Sequence, residues 1–297
     1  MIYTCTTNPS LDYYITIPNV SLGEDNRSDM EMFDAGGKGV NVSIVLNNFR
    51  IPSVCLGFLG GFTRDYYLSF ISNYPNIQPL FTTIKDNTRI NLKIMDSHNE
   101  TGINAKGPHI SEEEFRKFSS RLDHIFSDDL FILSGNIEEE IKDKMINLVH
   151  DLSSEDIRVI LDTDKDIIDR CLDAKLFAVK LNDKNKPMEA DLLEYGKKLA
   201  KGNVRYVLYS APQKDSYLFS KDKVLLCSNL KGSLLDVTGS ADSMVAGFVY
   251  GIIRGGDDYE SFRYANAASL ATCMSNDLGS KEKIEELYNH IEVSEVE

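Results

Sequence analysis

The chain has 297 residues, and its 32 Lys+Arg against 46 Asp+Glu give a formal net charge of −14. Apolar residues make up 42% and charged residues 26%, which is typical of a soluble globular protein that is long enough to bury its own core. The acidic balance excludes a general nucleic-acid footprint. Any anion site must therefore be built locally, from a few basic side chains or backbone N–H groups, with the surplus carboxylates kept away from it.

The cysteines and the chain start indicate a reducing compartment. The five cysteines are scattered and form no CxxC pair, so we expect neither a zinc knuckle nor a disulfide framework. The longest uncharged apolar stretch, near 243–253, is too short to span a bilayer. Residues 1–12 lack the basic and apolar regions of a secretion signal. We therefore expect a cytoplasmic protein with no membrane partner.

Hydrophobic spacing predicts alternating strands and helices. Predicted strands lie at 2–6, 53–59, 130–133, 159–161, 177–181 and 206–209, and a hairpin at 217–219 and 224–227. Predicted helices lie at 40–49, 111–126, 138–152 and 188–201, followed by an apolar helix ending at 253 and a last helix at 259–275. This pattern predicts an α/β fold with an open, mostly parallel sheet and helices on both faces.

Two β-rich pieces, at about 13–33 and 88–104, interrupt this alternation. We interpret them as a small accessory sheet inserted into a single domain that spans 1–297. The acidic end, 292–297, is predicted to be a solvated tail.

Several familiar signatures are absent. Lys38 is followed by Gly39 where a phosphate-binding P-loop needs Ser or Thr, and no G-x-G-x-x-G fingerprint follows a strand. The five histidines form no metal-spaced pair, and each is interpreted as an ordinary surface or core residue. The sequence leaves any metal ligands unknown.

Two glycine-containing segments begin helices. The first, 35–41, reads Ala-Gly-Gly-Lys-Gly-Val-Asn, and it is either an ordinary loop or a place where a ligand approaches the backbone. The second, 236–243, reads Asp-Val-Thr-Gly-Ser-Ala-Asp-Ser. Its Asp242 is either a favourable helix-dipole partner or a general base beside a backbone anion site, which is the arrangement that phosphoryl transfer to a hydroxyl needs.

These segments belong to an ordered set of motifs. The set consists of Thr-Asn-Pro-Ser-Leu-Asp at 7–12, Gly-Gly-Lys-Gly-Val-Asn at 36–41, Gly-Phe-Leu-Gly-Gly at 57–61, Thr-Arg-Ile-Asn-Leu-Lys at 88–93, Lys-Gly-Pro-His-Ile at 106–110, Ser-Gly at 134–135, and Asp242. Together they resemble the PfkB/ribokinase-like carbohydrate kinases from end to end. Within that family the chain looks most like the 1-phosphofructokinases and tagatose-6-phosphate kinases.

The resemblance implies a ribokinase-like doubly wound fold with a small β-sheet lid, and an ATP-dependent sugar-phosphate kinase that uses Mg²⁺. It implies that Asp242 is the general base and that Gly239, Ser240 and Ala241 form the anion hole. The implied acceptor-binding residues are Asp12, Gly36, Gly37, Lys38, Asn41, Arg89 and Ser134, with Lys38 and Arg89 on the phosphate already present. The implied ATP-binding residues are Lys180, Asn182, Ser210, Gly239 and Asn266. The implied partner is a second subunit that forms a homodimer through the lid.

The implied reaction converts fructose 1-phosphate and ATP to fructose 1,6-bisphosphate and ADP, with tagatose 6-phosphate, another sugar phosphate or a nucleoside as alternative acceptors. Departures from the family pattern leave a non-catalytic sugar-phosphate binder open as well. Ala241 replaces a glycine, Asn185 replaces an acid, the loop at 211–216 lacks two glycines, and 134–138 lacks a proline. Alanine in place of glycine at position 241 costs about 1–2 kcal/mol of conformational free energy if that position needs a positive φ, and little if the position is already helical.

Overall fold

The computed structural model describes residues 1–97, 99–186, 191–211, 214–228 and 237–296. The main sheet contains β1 (Ile2–Thr6), β4 (Ser53–Gly60), β5 (Ile77–Pro79), β6 (Thr82–Ile84), β9 (Leu130–Ser134), β10 (Arg158–Asp162), β11 (Leu176–Leu181), β12 (Val204–Tyr209), β13 (Ser216–Phe219), β14 (Val224–Cys227) and β15 (Ser294–Glu295). Its strand order is β15-β14-β13-β12-β11-β10-β9-β1-β4-β5, and β6 also pairs with β4. The strands from β12 across to β5 are parallel, whereas β13, β14 and β15 are antiparallel.

The helices are α1 (Lys38–Asn48), α2 (Gly61–Ile71), α3 (Glu112–Ser119), α4 (Glu139–Ser154), α5 (Lys165–Arg170), α6 (Leu192–Lys201), α7 (Ser240–Ile253), α8 (Asp258–Cys273) and α9 (Lys281–Tyr288). None of the helices in the described part of the chain combines the length and the apolar character that a membrane span needs.

Alternating side chains of the central strands supply two cores, one on each face of the sheet. In β9, Leu130 and Ile132 pack with the buried residues of α1, α7, α8 and α9. Phe131 and Leu133 point the other way and pack with α3, α4, α5 and α6. All four side chains are fully buried, as expected for a parallel strand covered on both faces. The predicted fold class, a doubly wound, mostly parallel α/β sheet with helices on both faces and a separate small sheet, is confirmed.

A separate sheet is built from β2 (Ser10–Thr16), β3 (Met30–Gly36), β7 (Arg89–Met95) and β8 (Glu100–Ile103), in the order β3-β2-β7-β8. We call it the small sheet. Its register places Ser10 beside Arg89 and Asp12 between Asp34 and Asn91. Residues from three distant parts of the sequence therefore meet where β1 leads into β2.

Two expectations about local structure are wrong, and a third is not tested. The helix predicted at 111–126 ends at Ser119, because i→i+3 turns follow it and bury Leu122 and Ile125. The helix predicted to be the last, at 259–275, is followed by α9. The predicted start at 188 of the helix before β12 lies outside the described residues.

The acidic end is also not a simple solvated tail. Ser294 and Glu295 pair with β14, and the Val296 N–H donates to the Val224 carbonyl. The open edge of β14 offers unpaired backbone groups, and satisfying them outweighs the charge of the segment. Glu297 lies outside the described residues.

Candidate active site

Asp242 is held at the start of α7. The helix is capped by Gly239, whose φ of +73° is a left-handed conformation that residues with a Cβ disfavour. Asp242 is only 4% exposed, and its Oδ2 accepts a hydrogen bond of 2.8 Å from the Asn41 Nδ2 of α1. Ala241 lies inside the helix and is not among the residues with positive φ, so the glycine-to-alanine departure costs little.

Charged groups surround this buried carboxylate. Burial and the nearby Asp162 raise the pKa of Asp242 to about 7, against the opposing effects of Lys38, Asn41 and Lys180. A carboxyl with this pKa takes up and releases a proton near neutral pH, which is the property a general base needs.

The basic partners of Asp242 lie toward the carboxyl ends of β10 and β11. The Lys38 Nζ is 3.7 Å from the Asp162 Oδ1. Burial disfavours the charged form of Lys38, but the carboxylates of Asp162 and Asp242 outweigh it and raise its pKa. Lys180 is fully buried and donates to the Leu181 carbonyl. Burial lowers the pKa of Lys180 to about 8 although Asp162 and Asp242 oppose that shift.

Asp12 is fixed by its neighbours in the small sheet. Its Oδ1 accepts hydrogen bonds from the Ser10 hydroxyl (2.7 Å) and the Asn91 Nδ2 (2.8 Å). A Cβ at Gly36 would lie 2.7 Å from the Asp12 Oδ2, so only glycine permits this close approach of the backbone. The other oxygen of Asp12 therefore faces the glycine segment at the start of α1.

Arg89 lies beside the segment that joins β1 to β2. Its Nη2 donates to the Asn8 carbonyl and its Nη1 to the Ala105 carbonyl, both at 3.1 Å. Its Nε is buried and has no hydrogen-bond partner among the described residues. Burial lowers the pKa of Arg89, and the carboxylates of Asp12 and Glu138 oppose this effect. The guanidinium is thus held in place with donors left over.

Two side chains near the end of β9 have polar atoms that are buried without hydrogen-bond partners among the described residues. Neither the Ser134 Oγ nor the Oε atoms of Glu138 make a hydrogen bond of standard geometry within the described residues. Burial raises the pKa of Glu138 to about 7, although its own N–H, Thr7 and Arg89 favour the charged form. The expectation that surplus carboxylates lie away from the site is wrong: Glu138 lies near Arg89, and Asp34 and Asp277 line the same cavity as Asp12.

Two cavities meet at the start of α7. A cavity of about 170 Å³, which we call the acceptor cavity, is lined by Asp12, Gly36, Gly37, Asn41 and Gly239, among others. A cavity of about 380 Å³, the donor cavity, is lined by Lys38, Asn182, Ser210, Ser240, Ala241 and Asn266, among others. Consecutive residues at one helix start thus line both cavities.

Near the donor cavity, two of the departures from the family pattern, Asn185 and the loop at 211–216, make structural contacts. The Asn185 Nδ2 donates to the carbonyls of Thr163 (3.0 Å) and Lys180 (3.1 Å), and its Oδ1 accepts from the Asn182 N–H. These hydrogen bonds of Asn185 therefore hold the loop after β11 in place. In the described part of the 211–216 loop, Lys214 pairs with Asp183 at 2.6 Å. Residues 212 and 213 lie outside the described residues.

The structure thus brings most of the sequence-predicted residues to these two cavities, whereas Ser134, Lys180 and Asp242 line neither, and Lys38 and Arg89 line different ones. Lys38 lines the donor cavity, whereas Arg89 lines a surface cleft with Thr88, Ala105 and Lys106. Sequence reasoning missed Asp162 and Glu138. The signal for Asp162 was available: it ends a buried parallel strand, and ligands bind outside the carboxyl ends of such strands.

Comparisons with known proteins support one family. The model of the pfkB family carbohydrate kinases matches residues 7–284. The 1-phosphofructokinase of Bacillus subtilis (strain 168) is 32% identical over 99% of each chain. A tagatose-6-phosphate kinase of Staphylococcus epidermidis is 28% identical over 100% of each chain. The crystal structure of phosphofructokinase-2 from Escherichia coli, with substrates and products, has a TM-score of 0.91 over 98% of this chain and 99% of that one; at 21% identity it shows a shared fold.

The resemblance predicted from the motifs is confirmed over nearly the whole length. The chain belongs to the pfkB family of carbohydrate kinases, phosphotransferases that act on a hydroxyl group.

Proposed function

We propose that this kinase transfers the γ-phosphoryl group of ATP to the free primary hydroxyl of a ketohexose phosphate, with fructose 1-phosphate as the first candidate. The observation that carries the proposal is the position of Asp242. It is a buried carboxyl with its pKa raised to about 7, and it lies at a helix start that lines both an acceptor and a donor cavity.

In this proposal the acceptor cavity binds the sugar. Asp12, held by Ser10 and Asn91, accepts hydrogen bonds from sugar hydroxyls, and Gly36 and Gly37 let the sugar approach the backbone. Arg89 binds the phosphate already on the sugar, because a guanidinium with spare donors recognises phosphate in two-point fashion. The unpartnered hydroxyl of Ser134 is a further donor for that side.

Asp242 accepts the proton of the attacking hydroxyl, and Asn41 holds its carboxylate in place. The backbone N–H groups at the start of α7, from Gly239 to Ala241, stabilise the negative charge on the transferring phosphoryl. Lys38 and Lys180 add positive charge on the donor side, where the structure places both beside Asp162. Asn182, Ser210 and Asn266 line the space for the rest of ATP.

We further propose that Mg²⁺ binds with ATP next to Asp162. Both carboxylate oxygens of Asp162 are buried without a hydrogen-bond partner among the described residues, and such oxygens suit a hard cation. The described residues contain no cluster of three or more His, Cys, Asp or Glu that could hold a metal ion unaided. This fits Mg²⁺, which in kinases is held by one or two carboxylates together with the nucleotide phosphates, whose charge it neutralises.

The substrate is tested by a coupled assay of ADP release with ATP and Mg²⁺. We expect the highest kcat/KM for fructose 1-phosphate, lower values for tagatose 6-phosphate and fructose 6-phosphate, and background with free fructose. Background turnover with all three sugar phosphates would contradict the proposal. A higher kcat/KM for tagatose 6-phosphate would favour the alternative suggested by the Staphylococcus epidermidis relative.

We also propose that the chain acts as one domain with the small sheet as a lid, and that two copies pair through that sheet. The face of the small sheet that carries Asp12 also carries Met30, Met32 and Met95, which are 60%, 52% and 42% exposed. A second copy on this face would bury the methionines and close the acceptor cavity. Light scattering tests this: we expect a dimer that Met32→Asp disrupts and Phe126→Ser, on an exposed residue elsewhere, does not.

A further inference from the structure

Glu138 is a half-buried acid whose carboxylate oxygens are shielded from solvent. It directly precedes α4, where an acidic side chain usually lies in solvent and favours the helix dipole. Here both Oε atoms are shielded from solvent and make no hydrogen bond of standard geometry within the described residues. A buried, unpartnered carboxylate is costly unless it carries a proton or meets a ligand.

The surroundings of Glu138 place it beside the proposed phosphate site. Arg89 binds the carbonyl of Asn8, and Thr7, one residue earlier, is close enough to Glu138 to favour its charged form. The Thr7 hydroxyl donates to the Asn136 carbonyl at 3.2 Å, which ties this segment to the turn before α4. Glu138 and Arg89 therefore flank the same two residues, and each affects the charge state of the other.

The remaining ionisable groups near Glu138 do not neutralise it. Cys5 is fully buried with its pKa raised by burial, so it is a neutral thiol. Glu140 disfavours the charged form of Glu138, and its own carboxylate is engaged with His109 and the Ile110 N–H. Arg89 is the cation that favours the charged form of Glu138.

We propose that Glu138 couples binding of the phosphorylated sugar to the uptake of one proton. The inference rests on the proposed function, in which Arg89 binds the acceptor's phosphate. A phosphate monoester loses its second proton near pH 6, so it arrives largely as a dianion at neutral pH. Two like charges this close to one guanidinium favour a shared proton, which goes from water to the Glu138 carboxylate.

This arrangement has a measurable consequence. The free carboxyl, with its pKa at about 7, is mostly ionised at pH 8, so the bound state must acquire a proton there. Affinity for the sugar phosphate then falls about tenfold for each pH unit above 7. At pH 6 the carboxyl is already protonated, and no proton is taken up by Glu138.

The test is calorimetric titration of the full chain with fructose 1-phosphate, without ATP, in buffers of different ionisation enthalpy at pH 6 and pH 8. We expect uptake of about one proton at pH 8 in the natural chain. Glu138→Gln should abolish that uptake and bind about tenfold more tightly at pH 8. Glu139→Gln is the matched control, because Glu139 is exposed and pairs with Lys142 on the helix surface; it should behave like the natural chain.

Binding without proton uptake, or uptake that Glu138→Gln retains, overturns the inference and leaves the proposed function intact. No binding heat with any sugar phosphate overturns both, so the two failures are distinguishable. If circular dichroism shows that Glu138→Gln is unfolded, Glu138→Pro replaces it. The φ of Glu138 is −61°, which the proline ring adopts without strain, and proline likewise removes the carboxylate.

Discussion

The acceptor and donor sides of Asp242 use their polar side chains differently. On the acceptor side, Asp12 and Arg89 are fixed by one set of bonds and keep other atoms available for a ligand. On the donor side, Asn182 and Asn185 are bonded to each other and to the backbone, and Asp183 pairs with Lys214.

Besides Lys38 at the start of α1, charge on the donor side comes from strand ends. Asp162 is the last residue of β10, and Lys180 is the second-to-last residue of β11; both are buried. The chain therefore lacks the acid that the family pattern has at position 185, but Asp162 places a carboxylate in the same region. This is possible because parallel strands bring side chains from separate parts of the chain to one edge of the sheet.

The largest effect should come from the residue between the two sides. We expect Asp242→Asn to lower kcat about 10²–10⁴-fold, because the amide cannot accept the hydroxyl proton. In the natural enzyme kcat should rise as pH increases through about 7, where Asp242 ionises. Steady-state kinetics from pH 5.5 to 8.5 measure both, and full activity in the variant would remove Asp242 from the role of base.

The same substitution should stabilise the fold at high pH. The pKa of Asp242 is raised from its ordinary 3.8 to about 7, so the folded chain binds this proton more tightly than the unfolded chain. Stability contributed by this group is therefore present below about pH 4 and is lost as pH rises to about 7. At pH 8 we expect Asp242→Asn to be more stable by on the order of 1–4 kcal/mol, with the gap closing toward pH 4.

Arg89→Met should weaken binding of the sugar phosphate and leave binding of ATP unchanged. Losing hydrogen bonds to a phosphate costs about 1.5–3 kcal/mol for each bond. We expect kcat/KM for fructose 1-phosphate to fall about 10²-fold while the KM for ATP is unchanged. Arg64→Met is the control, since Arg64 is an exposed residue whose partner is Asp65. An equal rise in the KM for ATP would show that Arg89 supports both sides.

Asn185→Glu restores the acid that the family pattern has at this position. It tests whether residue 185 stabilises the loop after β11 or contacts ATP. A carboxylate cannot donate to the carbonyls of Thr163 and Lys180, so both lose a partner. We expect a loss of about 2 kcal/mol or more, equivalent to a fall in Tm of roughly 4–8 °C, and no gain in kcat.

Asn203→Asp gives the comparison for this loss, because Asn203 also donates to two carbonyls but is exposed. Its Tm, measured by scanning calorimetry, should change less. Higher kcat and unchanged Tm in Asn185→Glu would mean that position 185 faces ATP and does not hold the loop after β11 in place.

The parts of this structure that sequence could predict are those specified locally. Strand 2–6 has the predicted bounds because its β-prone run stops before Asn8-Pro9, and the start of α7 follows from the glycine before an apolar run. The strand at 294–295 could not be predicted, because it is stabilised by the distant edge of β14.

The site divides in the same way. Asp12, Asn41 and Asp242 lie in short sequence motifs that identify them as candidate site residues. Glu138 lies in no such motif, because an acid before a helix is usually exposed, and only the fold shows that its carboxylate is shielded. Asp162 was indicated only by its place at the end of a buried parallel strand, and the strand order is needed to show what it faces. Burial depends on the whole topology, which no local pattern contains.

The smallest effect should come from Ala241→Gly, the other departure at the base's own helix. The departure would matter only if position 241 needed a left-handed backbone, and in this chain Gly239 alone adopts one there. We therefore expect kcat and the KM for ATP to stay within about twofold of the natural enzyme, while glycine inside the helix costs at most about 1 kcal/mol. A marked gain in kcat would show that the methyl group obstructs the transferring phosphoryl, and the donor side would then be impaired at the anion hole itself.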